Sequence, residues 1–367
     1  MESKGQVSKT SGCSCGSDKN CCSQKVESPS SIDAGFVPGE LATSAGHAVQ
    51  VSTLLTSKDI LGSWKARWGI NRMDYKIDPG LYCVGNPVNT SPVFVTANYK
   101  MSFDSLRKEL AGLDAWILVL DTKGINVWCA AGKGTFGTKE LIERIIQTGL
   151  SKLVSSRTVI LPQLGAPGIA AHEVQKSTGF KVVYGPVRAE DIKAFLSAGM
   201  KATGEMRTVK FTFIDRLVLT PIEIVSAIKP SIILFGILFI LNSIGFGQFG
   251  FTDLYAYIGA VLAGCFIAPV LLPWIPGRSF AFKGWLVGLL WVASVIAIND
   301  LSLRTLSYML VLPAVSAYGA LNFTGCSTYT SPTGVNREMK TAIPLMIISA
   351  GLGIVLLLAD SIIKIFN

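Results

Sequence analysis

The sequence predicts an α/β domain followed by an all-α transmembrane domain of five helices. Hydrophobic residues make up 50% of the 367 residues, and the mean hydropathy is +0.47, which is high for a soluble protein. Apolar and amphipathic segments alternate before Pro221, whereas long uncharged apolar segments follow it. These observations divide the chain into a leader at 1–48, a soluble domain at 49–204, a linker at 205–227 and a transmembrane domain at 228–367.

The leader is polar and rich in serine, glycine and lysine, and it has no apolar segment that resembles a signal peptide. We expect it to be a disordered cytoplasmic segment. Four of its cysteines follow the spacing C-x-C-x5-C-C, which differs from the C-x2-C pattern of zinc and ferredoxin sites. Capture of a thiophilic metal and a tail of reduced thiols are both open interpretations for Cys13, Cys15, Cys21 and Cys22.

The soluble domain alternates between predicted strands and predicted helices. The strands are Val93 to Ala97, Ala115 to Leu120, Thr158 to Leu161 and Lys181 to Tyr184. The helices are Phe103 to Leu110, Lys139 to Thr148, Ile169 to Ser177 and Ala189 to Leu196. This alternation predicts a parallel, Rossmann-like sheet. Ligands bind outside the carboxyl ends of such strands, which makes candidates of Asn98, Thr122, Gly165 and Gly185.

A short helix with one cysteine is predicted after the second of these strands. Asn126 is a good N-cap, and Gly132 and Gly134 are expected to end the helix after about two turns. Cys129 then lies in the first turn, where the helix dipole and Lys133 favour metal binding by a thiolate. Small residues would let a flat ligand approach, so the binding surface is predicted to comprise Asn126, Val127, Trp128, Cys129, Ala130, Ala131, Gly132 and Lys133.

Two other interpretations compete for the same segment. A cysteine among valine, tryptophan and alanine is also typical of a small buried core residue. In addition, Gly132 to Gly137 matches the GxGxxG pattern of dinucleotide sites. The residues from Thr158 to Gln163, where a carboxylate for the ribose is expected, contain none, and this disfavours dinucleotide binding.

The segment from Asp121 to Thr138, with Asn-Val-Trp-Cys-Ala-Ala-Gly-Lys at its centre, resembles the cap-helix signature of the mercury-methylating corrinoid proteins, the HgcA family. A looser similarity from Val93 to Leu196 resembles the corrinoid domain of the corrinoid iron-sulfur protein large subunit. The resemblance implies a Rossmann-like corrinoid-binding domain that holds cobalamin in the base-off form. It also implies that Cys129 is the lower axial ligand of cobalt during methyl transfer from methyl-Co(III) to Hg(II), which forms methylmercury.

Histidine is scarce, because the chain has only His47 and His172. No histidine-rich zinc or copper site can be built, and the D-x-H-x-x-G motif of histidine-ligated corrinoids is absent. His172 is predicted to lie on a helix surface or in a satisfied core position. If cobalt is bound, Cys129 is therefore the axial ligand that the sequence offers.

The resemblance also implies two protein partners. A methyltetrahydrofolate-linked methyltransferase would supply the methyl group, and a ferredoxin-like protein with two 4Fe-4S clusters would supply electrons. Because Hg(II) is a soft ion that binds sulfur, accessory thiols should matter. Cys326 is a candidate mercury relay or a plain membrane-end cysteine, and Cys83 and Cys265 are predicted to be packing residues. No nucleic-acid partner is expected, since basic and aromatic residues are not interleaved.

Five apolar segments are long enough, or nearly so, to cross a bilayer. They are Ile228 to Phe246, Leu254 to Ile275, Trp285 to Ile298, Leu306 to Phe323 and Ala342 to Ile363, of which the third could extend back to Phe280. The connections with Arg278, Lys283, Arg337 and Lys340 are the basic ones and are predicted to be cytoplasmic. The soluble domain then lies in the cytoplasm, the spans in the inner membrane and the C-terminus outside. The net charge of +9 suits an anionic inner leaflet.

These observations predict a membrane-anchored corrinoid methyltransferase that acts on Hg(II). One alternative is a corrinoid methyltransferase with another acceptor, such as arsenic or a pterin. Another is a membrane corrinoid carrier without chemistry. Ionisable residues within the spans would favour transport, and the segments given above contain essentially only Asp360, near one end.

Overall fold

A mixed β-sheet occupies the centre of the N-terminal half of the chain. The computed structural model describes residues 34–245, 249–299 and 301–366. The strands in this part of the chain are β1 Gly39–Thr43, β2 Gly46–Gln50, β3 Gly80–Val84, β4 Val93–Ala97, β5 Ala115–Leu120, β6 Thr158–Leu161 and β7 Lys181–Tyr184. They form one seven-stranded sheet in the order β1-β2-β3-β5-β4-β6-β7.

Strands β4 to β7 form a parallel unit within this sheet. Strand β4 pairs in parallel with β5 on one side and with β6 on the other, and β6 pairs in parallel with β7. All residues of β4 and β5 are buried, which explains their almost uninterrupted apolar sequences. The four predicted strands are confirmed at their predicted bounds.

The order of these strands creates a crevice at one edge of the sheet. The chain passes from β4 to its neighbour β5, and then returns across β4 to form β6 on the opposite side. The connection after β4 and the connection after β6 run in opposite directions along the sheet, which leaves a crevice between the carboxyl ends of these two strands. Open α/β sheets bind ligands in such a crevice. The sheet topology therefore points to the carboxyl ends of β4 and β6.

Helices connect the strands and flank the sheet. Those of the sheet domain are α1 Ser57–Arg67, α2 Lys100–Glu109, α3 Val127–Lys133, α4 Thr138–Gln147, α5 Leu150–Leu153, α6 Ala171–Thr178 and α7 Ile192–Ser197. A 3-10 turn at Gln163–Gly168 follows β6 and packs against α3. The four predicted helices are present with their ends shifted by a few residues, and the mixed α/β architecture agrees with the prediction.

Two features of the sheet differ from the prediction. Strand β3 is antiparallel to β5, so the sheet is mixed rather than wholly parallel. Strands β1 and β2 form a hairpin in a segment that was predicted to belong to a disordered leader. That prediction is wrong for residues 39–48, because Ala48 is part of the hydrophobic core and Leu41 packs against it. The four leader cysteines lie outside the described residues.

Five helices in the described ranges are long and apolar enough to cross a membrane. The first is α8 Phe213–Ser243. The second combines α9 Phe251–Leu262 with a π-helical turn and α10 Ala268–Val270. The remaining three are α11 Phe280–Ile298, α12 Leu303–Asn322, which a 3-10 turn extends to Cys326, and α13 Pro332–Phe366.

The first membrane helix begins earlier than hydropathy predicts. The segment 205–227 was predicted to be a linker, yet α8 starts at Phe213. A capping box sets this start: Thr212 accepts a hydrogen bond from the Asp215 backbone, and the Asp215 side chain accepts one from the Thr212 backbone. The linker prediction failed because charged residues lower the hydropathy of the first turns. The predicted extension of the third span to Phe280 is confirmed.

The sheet domain packs directly against α8. The Arg188 Nη2 atom lies 2.7 Å from Oδ2 of Asp215 in the first turn of this helix. Gly69 follows α1 and also lies against α8, where a Cβ at this position would come within 3.0 Å of Ile222 Cδ1. These contacts bring the carboxyl edge of the sheet towards the membrane helices, because Arg188 follows the end of β7.

Candidate cofactor-binding site

A cavity of about 380 Å³ opens at the carboxyl ends of β4 and β6. Apolar side chains of the two strands form part of its wall, and the start of α3 forms another part. Such a volume lies at the lower end of the range for small-molecule pockets. The wall includes Phe94, Val95, Tyr99, Asn126, Val127, Trp128, Ile160, Leu161, Gly185 and Pro186.

Helix α3 starts and ends where the sequence predicts. The Asn126 side chain accepts a hydrogen bond from the Cys129 backbone N–H at 2.9 Å, so Asn126 is the N-cap. Gly134 has φ of 80° and ends the helix in the left-handed conformation. Gly132 remains helical, so only Gly134 provides the stop. Cys129 lies in the first turn and is partly exposed.

Asn98 and Thr122 stabilise the loop that leads into α3 through hydrogen bonds. Asn98 Oδ1 accepts hydrogen bonds from the backbone N–H groups of Thr122 at 3.1 Å and Gly124 at 3.0 Å. The Thr122 hydroxyl lies 2.7 Å from the Ile125 carbonyl oxygen. Both side chains are buried, and their contact with a cofactor stays a prediction. They hold the loop in place, and the loop in turn positions the N-cap of the helix.

The small residues of α3 serve packing more than ligand access. Ala130 is fully buried and Ala131 nearly so, and both belong to the hydrophobic core. A Cβ at Gly168 would approach Ala131 Cα at 3.1 Å, which shows how closely the 3-10 turn packs against the helix. Contact of the two alanines with a ligand stays a prediction.

Three predicted glycines have different surroundings. Gly132 is exposed, and a Cβ there would meet no described atom within 4 Å. Gly165 is buried against Phe136 and is not part of the cavity wall, so its contact with a ligand stays a prediction. Gly185 lines the cavity, and a Cβ there would come within 3.2 Å of Ile160. Lys133 is exposed at the end of α3.

Tyr99 is a polar group in the cavity wall that sequence reasoning missed. It is 4% exposed, and among the described residues its hydroxyl has no hydrogen-bond partner. Burial raises the pKa of Tyr99, so the phenol keeps its proton at neutral pH. An unpaired buried hydroxyl is costly, and because this one is closed to solvent, a ligand in the cavity would reach it only after the side chain turns. A tyrosine directly after Asn98, at the end of β4, was the available signal.

A second thiol, that of Cys326, lies within electrostatic range of Cys129, although the two residues are far apart in the chain. Cys326 is near enough to Cys129 and to Arg72 for electrostatic interaction. Its Sγ atom lies 3.5 Å from Oε1 of Glu223, a buried carboxylate in α8. Sequence reasoning missed Glu223 because it lies in the segment that was assigned to the linker.

The other predicted residues occupy simpler environments. Burial raises the pKa of the Cys83 thiol to about 11, and its side chain is fully buried, as expected for a packing residue. Cys265 is also buried, within a membrane helix. His47 and His172 have exposed side chains. In the part of the chain that the structure describes, no group of three or more His, Cys, Asp or Glu side chains could hold a metal ion.

Residues 69–196 match the family model of the CO dehydrogenase/acetyl-CoA synthase delta subunit. The chain is also similar to acetyl-CoA decarbonylase/synthase complex subunit gamma of three archaea. Identity is 31% over 127 residues for the proteins of Archaeoglobus fulgidus and Methanopyrus kandleri, and 32% over 127 residues for that of Methanothermobacter thermautotrophicus. Each alignment covers 34% of this chain and 27% of the relative.

The matched region covers the sheet domain from β3 to α7 and leaves out β1, β2 and α1. It begins directly after α1 and ends within α7, so it contains the cavity wall and helix α3. The chain spans about a quarter of the length of these relatives, and the membrane helices lie beyond the matched region. The predicted relation of the soluble domain to subunits of this complex is supported, whereas the specific relation to mercury-methylating proteins remains a prediction.

Proposed function

We propose that this chain is a membrane-anchored corrinoid protein that methylates Hg(II), with Cys129 as the lower axial ligand of cobalt. The observation that carries this proposal is the placement of Cys129. It is partly exposed in the first turn of α3, beside a cavity at the carboxyl ends of two parallel strands, and a second thiol from the membrane domain lies nearby. The relation of the matched region to methyl-transfer complex subunits supports a corrinoid cofactor.

The residues at this site fit a corrinoid. The cavity of about 380 Å³ is too small for the whole cofactor but suits a displaced nucleotide tail, which is consistent with the base-off form. The apolar wall can contact the aromatic part of such a tail, and the unpaired Tyr99 hydroxyl can bond its polar part. The macrocycle itself would lie over the exposed side of α3, where Gly132 leaves open space.

When bound, the corrinoid would supply a cobalt-held methyl group, and a strongly donating thiolate ligand would favour its delivery to an electrophile such as Hg(II). Cys129 would provide that thiolate. Asn126 fixes the first turn that carries Cys129, and Asn98 fixes the loop before it. These residues set the position of the sulfur atom, which a metal ligand requires. Lys133 and Trp128, both exposed, would border the ring.

Cys326 would bring the substrate to this position. Hg(II) is a soft ion that binds thiolates, and Cys326 lies within electrostatic range of Cys129. Glu223 is placed to accept the proton that Cys326 loses when it binds the metal, because its Oε1 atom is 3.5 Å from Sγ. The incoming ion would thus be held next to the site of methyl transfer.

The proposal includes two protein partners and a topology. The relatives are subunits of a larger complex, which supports dependence on partner proteins. A ferredoxin-like protein with two 4Fe-4S clusters would supply electrons, and a methyltetrahydrofolate-linked methyltransferase would supply the methyl group. We place the sheet domain in the cytoplasm and the C-terminus outside, since basic residues lie at the matching ends of the third and fifth spans: Arg278 precedes α11, Lys283 lies in its first turn, and Arg337 and Lys340 lie near the start of α13.

Two alternatives keep the same cofactor. Arsenic or a pterin could be the methyl acceptor, and a membrane corrinoid carrier would catalyse no reaction. The ionisable residues of the membrane helices favour an anchor over a carrier. Arg304 lies 3.4 Å from Asp253 and 3.3 Å from Asp360, and the Tyr308 hydroxyl is 2.6 Å from Asp253. These groups pair with one another between helices, as structural residues do.

The decisive experiment is anaerobic methylation of thiol-bound Hg(II) by purified full-length protein that has been loaded with methylcobalamin. We expect methylmercury from the wild type and from Cys83→Ala, a control at a buried cysteine of β3, and none from Cys129→Ala. Transfer to arsenite or to a pterin without methylmercury would establish another acceptor. Corrinoid flux across proteoliposomes without any methylated product would establish a carrier.

A further inference from the structure

Helix α1 carries its apolar side chains on the outside of the sheet domain. Ile60, Leu61 and Trp64 lie on one face of the helix, and Trp68 continues this face directly after it. Trp64 is 59% exposed and Leu61 is 56% exposed. We call these four residues the α1 apolar face. An apolar helix face that remains exposed indicates an interaction surface.

The opposite face of α1 is buried and carries the charged Asp59 together with the small Ala66. Asp59 Oδ2 lies 2.8 Å from Arg107 Nη2, and Asp59 Oδ1 lies 2.6 Å from Lys100 Nζ. The Tyr75 hydroxyl donates a hydrogen bond to the Asp59 carbonyl oxygen at 3.1 Å. Helix α1 thus has the reverse of the usual polarity for a helix on a soluble domain, in which the apolar face points inward. Buried ion pairs to α2 hold it in this orientation.

Charge and aromatic content around the α1 apolar face fit a lipid surface. Lys65 is exposed on one side of the face, and Arg67 lies on the other. Helices that lie in the membrane interface combine basic residues with tryptophan and leucine in this way. Tryptophan is favoured at the depth of the lipid headgroups, and lysine and arginine are attracted to anionic lipids.

The position of α1 relative to α8 also places the α1 apolar face at the depth of the lipid headgroups. Gly69, directly after the α1 apolar face, lies against Ile222 and Val225 of α8. The uncharged part of α8 begins after Lys229. Val225 lies four positions before Lys229, which is about 6 Å along the helix axis. Helix α1 therefore lies next to the membrane span, level with the headgroup layer that borders the hydrocarbon.

We propose that the α1 apolar face inserts into the headgroup region of the leaflet nearest the sheet domain, with anionic phospholipid as its partner. This second attachment would fix the tilt of the sheet domain over the membrane helices. The junction that holds Cys129 and Cys326 would then keep its geometry without a large protein interface. The inference depends on the membrane-spanning helices and is independent of the reaction that the chain catalyses.

Photo-crosslinking of full-length protein in proteoliposomes tests this attachment. The residue p-benzoylphenylalanine would replace Trp64, whose side chain is exposed, so folding should be unaffected. The matched control is the same replacement at Lys181, an exposed residue at the amino end of β7, on the edge of the sheet away from α8. Size-exclusion chromatography would verify that both variants remain folded.

We expect phospholipid adducts at position 64 to exceed those at position 181 severalfold. We also expect their yield to rise when phosphatidylglycerol replaces part of the phosphatidylcholine. Equal lipid adducts at both positions would overturn the proposal. Crosslinks from position 64 to a second copy of the chain or to an added protein, in place of lipid, would also overturn it and would assign the face to a protein partner.

Discussion

Cys129 owes its position to residues that do not belong to its own helix. Asn98 is buried at the end of β4 and accepts hydrogen bonds from two backbone N–H groups of the loop that precedes α3. Each of those groups would otherwise be buried without a partner, which is costly. The loop therefore has one conformation, and Asn126 caps the helix at a fixed point. The Cys129 thiol is positioned by a hydrogen-bonded turn rather than by packing of the cysteine itself.

Tyr99 should contribute to cofactor affinity through its hydroxyl. In Tyr99→Phe we expect corrinoid affinity to fall about fivefold to tenfold, because one hydrogen bond to the ligand, worth about 1 kcal/mol, is lost. The cofactor-free protein should not lose stability, since the hydroxyl has no partner among the described residues. Equilibrium binding of cobalamin and thermal unfolding would measure both effects.

Tyr75→Phe is the matched control for this prediction. The Tyr75 hydroxyl donates to the Asp59 carbonyl oxygen, and the residue is absent from the cavity wall. We expect this variant to unfold more readily while it binds corrinoid normally. If Tyr99→Phe instead destabilises the cofactor-free protein and leaves corrinoid affinity unchanged, the hydroxyl has a structural role. The proposed hydrogen bond between Tyr99 and the cofactor would then be wrong.

Helix α3 is short, and its two sides have different surroundings. Ala130 and Ala131 allow the 3-10 turn after β6 to pack against one side. Gly132 leaves the other side open. A helix of seven residues is not stable alone, so this packing and the Asn126 cap must hold it. The element is therefore rigid enough to carry a metal ligand although it is small.

A bulky side chain at Gly132 should obstruct the cofactor. We expect Gly132→Phe to fold normally, because no described atom lies near its Cβ, and to contain severalfold less cobalt after loading. Gly204→Phe is the control, since Gly204 also has helical dihedral angles and open space but lies outside α3. Cobalt analysis would compare the two variants, and circular dichroism would verify their folding. Equal cobalt contents would mean that the ring does not lie over α3.

The buried ion pairs beneath α1 should make stability depend on acidic pH. Burial alone would raise the pKa of Asp59, but hydrogen bonds and charge from Lys100, together with hydrogen bonds from Thr56, lower it from 3.8 to about 2. A lowered pKa in the folded state stabilises the protein above pH 4. This stabilisation is lost as the pH falls from about 4 to about 2, which amounts to about 2 kcal/mol.

Unfolding measured across this pH range would test the Asp59 prediction. The wild type should lose stability steeply between about pH 4 and pH 2. Asp59→Asn should be less stable at neutral pH, because Arg107 and Lys100 lose a charged partner, and its pH dependence in this window should be weaker. Parallel curves for the two proteins would show that Asp59 contributes nothing to the pH dependence.

At the scale of the whole molecule, the two domains meet where the proposed chemistry takes place. The end of the α12 span brings Cys326 towards Cys129, and Arg188 joins the sheet domain to the first turn of α8. The membrane domain is then part of the site as well as an anchor. The region that matches the relatives lies within the sheet domain, and the membrane helices lie outside it.

Removal of the membrane domain should separate binding from transfer. A fragment of residues 34–212 ends before α8 and keeps every wall residue of the cavity. We expect it to bind corrinoid but to form methylmercury severalfold more slowly than the full chain at low Hg(II), because Cys326 is missing. Equal rates at low Hg(II), measured anaerobically with the same corrinoid content, would rule out a contribution of the membrane domain to the reaction.

Local patterns in the sequence were sufficient to predict the parallel strands and α3. Strands such as Ala115–Leu120 are uniformly apolar, and Asn126 and Gly134 mark the ends of α3. The β1-β2 hairpin was missed because each of its strands has only two apolar residues, next to a polar leader. The start of α8 was missed because its first turns are charged.

Roles within the site were harder to predict, since they depend on contacts between distant segments. Asn98 and Thr122 fall at strand ends, as ligand residues do, yet they are buried in a turn that they stabilise. The proximity of Cys326 to Cys129 arises from packing between domains and has no local signal. Tyr99 could have been identified as an aromatic residue at a strand end, but its unpaired hydroxyl is visible only in the structure.

X-ray absorption at the cobalt edge tests the central claim, that Cys129 is the axial ligand, most directly. Full-length protein would be loaded anaerobically with cobalamin and compared with Cys129→Thr and with the control Cys83→Ala. We expect a sulfur atom at bonding distance from cobalt in the wild type and the control, and its loss in Cys129→Thr with the cobalt content retained. A cobalt site without sulfur in the wild type, or with sulfur in Cys129→Thr, would contradict the assignment.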